Sequence, residues 1–197
     1  MKIAVLGGSF DPPHLGHVKI AEYVIATENF DQAWLIPCFA HAFGKVLSPA
    51  KDRFAMTTLL ETKTIQASDF EIQKKGISIS FETLTDLAKL HPYHAFSWII
   101  GSDQVADFPK WEGWMEIITK FGLIIVQRDG KGNVEEKTKD MLHLPTLAGI
   151  TFIQSNSIPN VSSTEIREKV KKNESIHSLV PKSVEEYIIK HALYNTI

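Results

Sequence analysis

The chain has 197 residues, of which 44% are hydrophobic and 22% charged, and its formal net charge at pH 7 is −2. This size and composition predict one globular domain over residues 1–197 with a substantial core, and the charge gives no electrostatic reason to expect nucleic acid as a partner. A single cysteine, Cys38, excludes an internal disulfide, and no apolar run approaches the roughly 20 residues that span a bilayer. Because the N-terminus also lacks a signal-peptide pattern, we expect a cytoplasmic protein without a membrane anchor.

The first predicted elements form a strand, a helix and a second strand. Residues 2–6 are an apolar run with β-branched side chains, which predicts a buried strand. Apolar residues then recur at helical spacing, so a helix should begin near His14 or Leu15 and end between residues 27 and 30. Residues 33–36 predict the second strand, which Pro37 stops. Such a unit buries parallel strands beneath helices, and ligands gather at the carboxyl ends of those strands.

The rest of the chain continues this alternation of helices and strands. We predict helices over 48–63 and 81–90, strands over 69–72, 95–100, 121–126 and 150–153, a surface loop over 128–140, and closing helices that cover the sheet. Ser48 is the expected cap and Pro49 the first residue of the helix at 48–63. The fold class that follows is α/β, with a Rossmann-like, doubly wound parallel sheet and C-terminal helices.

The turn between the first strand and the first helix contains two glycines and two histidines. Residues 7–17 read Gly-Gly-Ser-Phe-Asp-Pro-Pro-His-Leu-Gly-His. The glycines allow an anion to approach main-chain N–H groups at a helix start. His14 and His17 lie three residues apart, so both imidazoles should project from one side of the helix and donate hydrogen bonds to phosphate oxygens. Gly16 between them removes a side chain that would block this approach.

Two other interpretations of the histidines remain open on the residues alone. They could simply cap the helix. They could also bind zinc, but two histidines fall short of the three or four ligands that zinc needs, and the one cysteine is distant in sequence. We therefore expect no metal site in the protein itself.

Two further candidate residues follow predicted strands. Lys45 is the only cation in the loop over residues 38–49, which should lie above the crevice. Gly101 and Asp103 come directly after the strand at 95–100, where an acid could bind a ligand hydroxyl or act as an ordinary helix cap. Arg53 could approach the same crevice or lie solvated on a helix surface.

Residues 161–167 read Val-Ser-Ser-Thr-Glu-Ile-Arg and should begin a helix. Ser162 or Ser163 can cap it, so hydroxyls and free N–H groups gather at one helix start and, together with Arg167, could clamp a triphosphate. Taken alone, the same residues also fit an ordinary capping box at a helix start.

Residues 7–17 and 161–167 closely resemble the two signatures of the HxGH-type nucleotidyltransferases, and within them the bacterial nicotinate mononucleotide adenylyltransferases. The similarity runs from residue 2 to about residue 187. It departs from the family pattern in two places. His41 and Lys45 are separated by three residues where the family has a compact Pro-His-Lys, and residues 76–84 carry Ile79, Ser80 and Glu82 in place of Tyr, Thr and Asp.

The resemblance implies a fold of the nucleotidyltransferase type and transfer of the adenylyl group of ATP to nicotinate mononucleotide, with Mg²⁺ carried by ATP. It implies three sets of site residues: catalytic His14, His17 and Arg167; ATP-binding Gly8, Ser9, Phe10, His14, Gly16, His17, Gly101, Asp103, Ser162, Ser163, Thr164 and Arg167; and substrate-binding Lys45, Ser80 and Trp111. The indole of Trp111 would stack on the pyridine ring. The expected partners are ATP and a pyridine mononucleotide, and a homo-oligomer is left open.

Two alternatives to this function remain at the level of the sequence. One is a related adenylyltransferase that uses nicotinamide mononucleotide or phosphopantetheine. The other, from a different class, is a catalytically silent protein that binds nucleotides as a sensor. Product formation from ATP separates an enzyme from a sensor.

Overall fold

A computed structural model describes residues 1–128 and 132–195 and contains one six-stranded sheet in the order β3-β2-β1-β4-β5-β6. All neighbouring strands are parallel. The strands are β1 (Lys2–Gly8), β2 (Gln32–Pro37), β3 (Ile65–Ala67), β4 (Ala95–Gly101), β5 (Leu123–Gln127) and β6 (Ile150–Gln154). The strand order reverses between β1 and β4, which confirms the doubly wound sheet and places a crevice at the carboxyl ends of these two strands.

Helices cover both faces of the sheet. One face packs against α1 (Leu15–Glu28), α2 (Ala50–Thr58), α7 (Ser163–Lys171) and α8 (Lys182–Lys190). The other face packs against α3 (Phe70–Lys74), α4 (Ser80–Leu90), α5 (Trp114–Glu116), a π-helical turn over Ile117–Phe121, and α6 (Val134–Leu142). Two short 3-10 turns, Ser102–Gln104 and Phe108–Lys110, follow β4. Among the described residues, no helix has the length and apolar character to cross a membrane.

The central strand β1 shows how the sequence produces these two layers. Ile3 and Val5 face one core and Ala4 and Leu6 face the other, so these four side chains are all buried. A continuous apolar run is what a parallel strand covered on both sides requires. At the end of the strand, Gly7 leaves space for the indole of Trp98 on β4, which a Cβ atom there would overlap. The strand can therefore approach its neighbour closely where the crevice begins.

The strand predicted over residues 69–72 is wrong. This segment belongs to helix α3, and the third strand is the three-residue β3 just before it. The alternating pattern predicted a strand because it assumes that the polar side chains face solvent, but here the polar side chain points inward. Glu71 is only 4% exposed and accepts a hydrogen bond from the Thr83 hydroxyl at 2.6 Å. A buried, hydrogen-bonded carboxylate reverses the usual inference that alternate polar residues face solvent.

The surface loop predicted over residues 128–140 is also wrong in its described part, while residues 129–131 lie outside the described residues. Helix α6 begins at Val134, and the Asn133 side chain caps it by accepting from the N–H groups of Glu135 and Glu136 at 3.1 and 3.2 Å. Its inward side consists of only three residues spaced four apart, Val134, Thr138 and Leu142. A buried stripe this narrow gives little helical periodicity in a segment rich in charged residues.

The helix predicted over residues 48–63 is shorter than expected. Helix α2 ends at Thr58, and its N-cap is Pro49, one residue later than the predicted cap. Ser48 does not cap the helix. Its N–H group instead donates to the Asp11 carboxylate at 3.0 Å, which ties the start of α2 to the loop that follows β1.

Candidate functional site

The first half of the site lies between β1 and α1. His14 is the N-cap of α1, and its N–H group donates to Nδ1 of His17 at 3.1 Å. The two imidazoles stack, with ring centroids 3.7 Å apart and an angle of 28° between the planes. The ring of Phe10 lies 4.7 Å from that of His17. The structure therefore places both histidines on one side of the helix start, held by each other and by a buried phenyl ring.

Gly16 is needed for this arrangement because of what surrounds it. A Cβ atom at this position would lie 2.9 Å from Nδ1 of His14 and 3.4 Å from the Pro159 carbonyl oxygen. Any larger residue would displace the His14 ring or the segment before the 161–167 motif. The glycine thus acts through the packing of the histidine pair.

Both histidines are neutral at physiological pH. His14 is 5% exposed, and burial lowers its pKa from 6.5 to about 4, with the nearby positive charge of Arg128 acting in the same direction. The pKa of His17 is well below its ordinary value, first through burial and then through His14 and Arg128. Because Nδ1 of His17 accepts a hydrogen bond, its single proton is assigned to Nε2. His17 can therefore donate to an anion without itself carrying charge.

The second half of the site is the 161–167 motif, which reaches back to the same loop. Ser162 caps α7, and its hydroxyl accepts from the Glu165 N–H at 3.1 Å. Ser163 donates to the Pro12 carbonyl at 2.8 Å. Arg167 donates to the Asp11 carbonyl at 2.6 Å and to the Thr164 hydroxyl at 3.2 Å. The capping interpretation holds for Ser162 alone, while Ser163 and Arg167 join the two motifs across the sequence.

A cavity of about 720 Å³ opens beside this loop at the carboxyl ends of β1 and β4. Its wall contains five of the residues predicted from the sequence: Gly8, Lys45, Ser80, Asp103 and Trp111. The Trp111 ring packs edge-on against Phe108, with centroids 5.3 Å apart. The predicted residues thus fall into two adjoining groups. The substrate-binding set lies in the cavity together with Gly8 and Asp103, and the histidines lie in the loop beside it, which Arg167 reaches from α7.

Asp103 does not cap a helix. It lies within the 3-10 turn after β4, its side chain is 69% exposed, and its carboxylate oxygen stands 3.6 Å from Nη2 of Arg128. Gly101, at the end of β4, donates its N–H to the Gln104 side chain at 3.2 Å. The carboxylate therefore faces a cation at the edge of the cavity.

Sequence reasoning did not find Arg128. This residue follows β5, and its Nη1 atom donates to the Val161 carbonyl at 3.5 Å while Nη2 approaches Asp103. It thereby joins the cavity wall to the 161–167 motif. The available signal was its position directly after a buried strand, because the carboxyl ends of parallel strands meet at one edge.

Arg53 is buried, so of the two interpretations left open by the sequence, the solvated position on a helix surface is wrong. It is 1% exposed and donates to the carbonyl groups of Ser48, Ser9 and Phe39 at 2.9, 2.8 and 3.1 Å. These three carbonyls belong to the two loops that border the crevice. Arg53 therefore holds the two loops together from the buried side of the crevice.

Glu71 and His41 also line the cavity. Burial raises the pKa of Glu71, partly offset by hydrogen bonds from Ser78 and Thr83. Nδ1 of His41 accepts from the Phe43 N–H at 3.1 Å, and burial followed by the charge of Lys45 lowers the pKa of His41. Within the described ranges 1–128 and 132–195, no group of three or more His, Cys, Asp or Glu side chains is arranged to hold a metal ion.

Comparison with known proteins identifies relatives along nearly the whole chain. The cytidylyltransferase-like family matches residues 5–169. Proteins from Myxococcus xanthus and Dictyoglomus thermophilum, each named "Probable nicotinate-nucleotide adenylyltransferase", are 35% and 33% identical to this chain; the alignments cover 98% of this chain and 95% and 100% of theirs.

A solved structure supports the same fold. The Plasmodium falciparum nicotinic acid mononucleotide adenylyltransferase complexed with NaAD superimposes with a TM-score of 0.80, covering 98% of this chain and 97% of that one at 23% identity. At this identity the likeness concerns the fold. The family match and the near full-length relatives, together with the two joined motifs, show that this chain belongs to the cytidylyltransferase-like family and, within it, to the nicotinate-nucleotide adenylyltransferases.

Proposed function

We propose that the protein transfers the adenylyl group of ATP to nicotinate mononucleotide, giving nicotinate adenine dinucleotide and pyrophosphate in NAD biosynthesis. One observation supports this above the others. A neutral, stacked histidine pair and an arginine converge on the loop after β1, directly beside a cavity lined by a tryptophan and a lysine. The loop suits a polyphosphate, and the cavity suits an aromatic mononucleotide.

In the proposed reaction, an oxygen of the mononucleotide phosphate attacks the α-phosphorus of ATP in line. A new P–O bond forms, the bond between the α-phosphorus and the bridging oxygen breaks, and the electron pair leaves with pyrophosphate. No side chain acts as a nucleophile. The protein contributes by positioning the two substrates and by stabilising charge as it develops on the phosphate oxygens.

The roles of the ATP-side residues follow from their hydrogen bonds. His17, with its proton on Nε2, and His14 donate to phosphate oxygens near the reacting phosphorus, and the main chain of residues 8–10 binds the same group. Arg167 has five N–H donors, of which Asp11 and Thr164 occupy two, so the others can bind the leaving pyrophosphate. Ser162 and Ser163, at the start of α7, contribute to binding the leaving pyrophosphate. Gly101 and Asp103 border the nucleotide. Mg²⁺ enters as part of the ATP substrate and neutralises phosphate charge.

On the acceptor side, Trp111 stacks on the pyridine ring and Lys45 binds the mononucleotide phosphate. Ile79 and Ser80, at the start of α4, line the cavity, and no side chain of the described residues caps this helix. Its first N–H groups therefore favour an anion such as the nicotinate carboxylate. Glu82 does not oppose that carboxylate, because it pairs with Lys74 at 2.9 Å on the exposed side of the helix. These features support a preference for the acid over the amide.

The test is release of pyrophosphate from ATP with nicotinate mononucleotide, nicotinamide mononucleotide, phosphopantetheine or no acceptor, with the product identified by mass. We expect release with nicotinate mononucleotide and a lower kcat/KM for the amide at saturating ATP. Each ~1.4 kcal/mol of difference in binding gives a tenfold difference in kcat/KM. Equal kcat/KM values, or a preference for the amide, would show that residues 76–84 bind another base. ATP binding without release would indicate a sensor.

A further inference from the structure

Asp11 connects four segments that are far apart in the sequence. The residue is 3% exposed. One carboxylate oxygen accepts from the Ser48 N–H at 3.0 Å, the other accepts from the Tyr194 hydroxyl at 2.8 Å, and its carbonyl accepts from Arg167 at 2.6 Å. The loop after β1, the start of α2, the α7 arginine and the turn after α8 therefore meet at a single residue.

Tyr194 is fixed in the turn that follows α8. Its ring and the side chain of Leu193 pack against the core beneath α1 and α8. Burial, reinforced by the charge of Asp11, raises the pKa of Tyr194, so its hydroxyl keeps its proton and remains a donor. The segment before α8 makes a separate contact with the site, since the Leu15 N–H at the start of α1 donates to the Leu179 carbonyl at 3.0 Å.

We propose that Tyr194 is a positioning residue for the adenylyl transfer proposed above. Its hydroxyl orients the Asp11 carboxylate, and the Asp11 main chain in turn holds the guanidinium of Arg167 toward the loop that carries His14. Without the hydroxyl, one oxygen of a buried carboxylate would lose its partner, which is unfavourable unless the loop moves to let water reach it. A shift of this loop would also shift Arg167.

A matched pair of tyrosine variants tests this role. Tyr194→Phe removes one oxygen atom and retains the ring. The control is Tyr187→Phe on α8, which also loses a hydrogen bond to a carboxylate, but to that of Asp52 on α2 at 3.0 Å and not to the loop after β1. We expect Tyr194→Phe to lower kcat/KM for ATP about tenfold and Tyr187→Phe less than about twofold. KM for the mononucleotide should stay within about twofold in both.

The same substitution in an Arg167→Ala background separates positioning from general destabilisation. If Tyr194 acts through Arg167, the loss caused by Tyr194→Phe should largely disappear in that background. Urea unfolding midpoints of the two tyrosine variants show whether their stabilities match. An effect below about twofold in the wild-type background, or an undiminished effect in the Arg167→Ala background, would overturn the proposal.

ATP affinity, measured by calorimetry without an acceptor, makes the result independent of the proposed reaction. If the wild-type protein binds ATP but forms no product with any acceptor, the proposed function fails. The Tyr194 proposal then stands only if Tyr194→Phe weakens ATP binding about fivefold or more while Tyr187→Phe does not. If the wild-type protein does not bind ATP, both proposals are wrong.

Discussion

The loop after β1 and the neighbouring cavity differ in how far they are organised before any ligand arrives. In the loop, Phe10, Asp11 and His14 are at most 5% exposed, and the polar groups of Asp11 are bonded to three separate segments. In the cavity, Lys45 is exposed and Trp111 and Ser80 are half-buried. We infer that the ATP side is preorganised while the acceptor side is completed by its ligand. Substitutions in the loop should therefore change turnover, and those in the cavity should mainly change affinity.

The largest effect should come from His17→Ala. Loss of one preorganised donor to developing charge should lower kcat by roughly 100-fold or more. The fold should persist, because the imidazole is partly exposed and Phe10 remains buried beside it. Steady-state kinetics and thermal unfolding measure the two properties. His177→Ala, at an exposed histidine, is the control and should retain wild-type rates. Unchanged turnover in His17→Ala would remove this residue from the proposed mechanism.

Arg167→Ala should give the next largest effect, confined to ATP. A charge-assisted hydrogen bond contributes about 1.5–3 kcal/mol, so kcat/KM for ATP should fall about 10- to 100-fold. Lys171→Ala, an exposed cation on the same helix, controls for net charge. Titrating each substrate at saturating levels of the other gives the comparison. If only the KM for the mononucleotide rose, the proposed orientation of the two substrates would be reversed.

Lys45→Ala should have a smaller effect on the other substrate. An exposed lysine that meets a phosphate contributes on the order of 1 kcal/mol, so KM for the mononucleotide should rise about three- to tenfold with little change in kcat. Lys51→Ala, an exposed lysine on α2, serves as the matched control. A fall in kcat at constant KM would contradict this expectation, because the loop that carries Lys45 would then belong to the preorganised part of the site.

The smallest effect on activity should come from pH, because both histidines stay neutral over the usual range. A histidine whose folded pKa is about 4 and whose unfolded pKa is 6.5 stabilises the fold above pH 6.5, and this stabilisation is lost as pH falls toward 4. Between pH 7 and 5 the loss is about 2 kcal/mol. Urea unfolding at both pH values should show a smaller loss in His14→Asn. Identical losses in the two proteins would mean that His14 titrates normally when folded.

The sequence predicts those parts of the site that are local in the chain. The glycines and histidines of residues 7–17 act at a strand-to-helix turn, and their spacing alone indicates the geometry that the structure shows. Arg128 escaped prediction because its partners, Asp103 and Val161, are 25 and 33 residues away in sequence. The burial of Glu71 was not predicted, because an analysis of periodicity assigns carboxylates to the solvent-facing side. Its partner Thr83 becomes a neighbour only when α3 and α4 pack.

The hydrogen bonds that join the loop after β1 to α7 also bear on when the protein becomes competent during synthesis. Ser163 and Pro12 are separated by 151 residues, and Arg167 and Asp11 by 156. The early βαβ unit can pair its strands while the ribosome is still extending the chain, since its contacts are close in sequence. Until α7 has emerged, a nascent chain carries both histidines but lacks Arg167. If ATP binds as proposed, its binding should therefore require that α7 has been made, and shorter nascent chains should leave the nucleotide pool untouched.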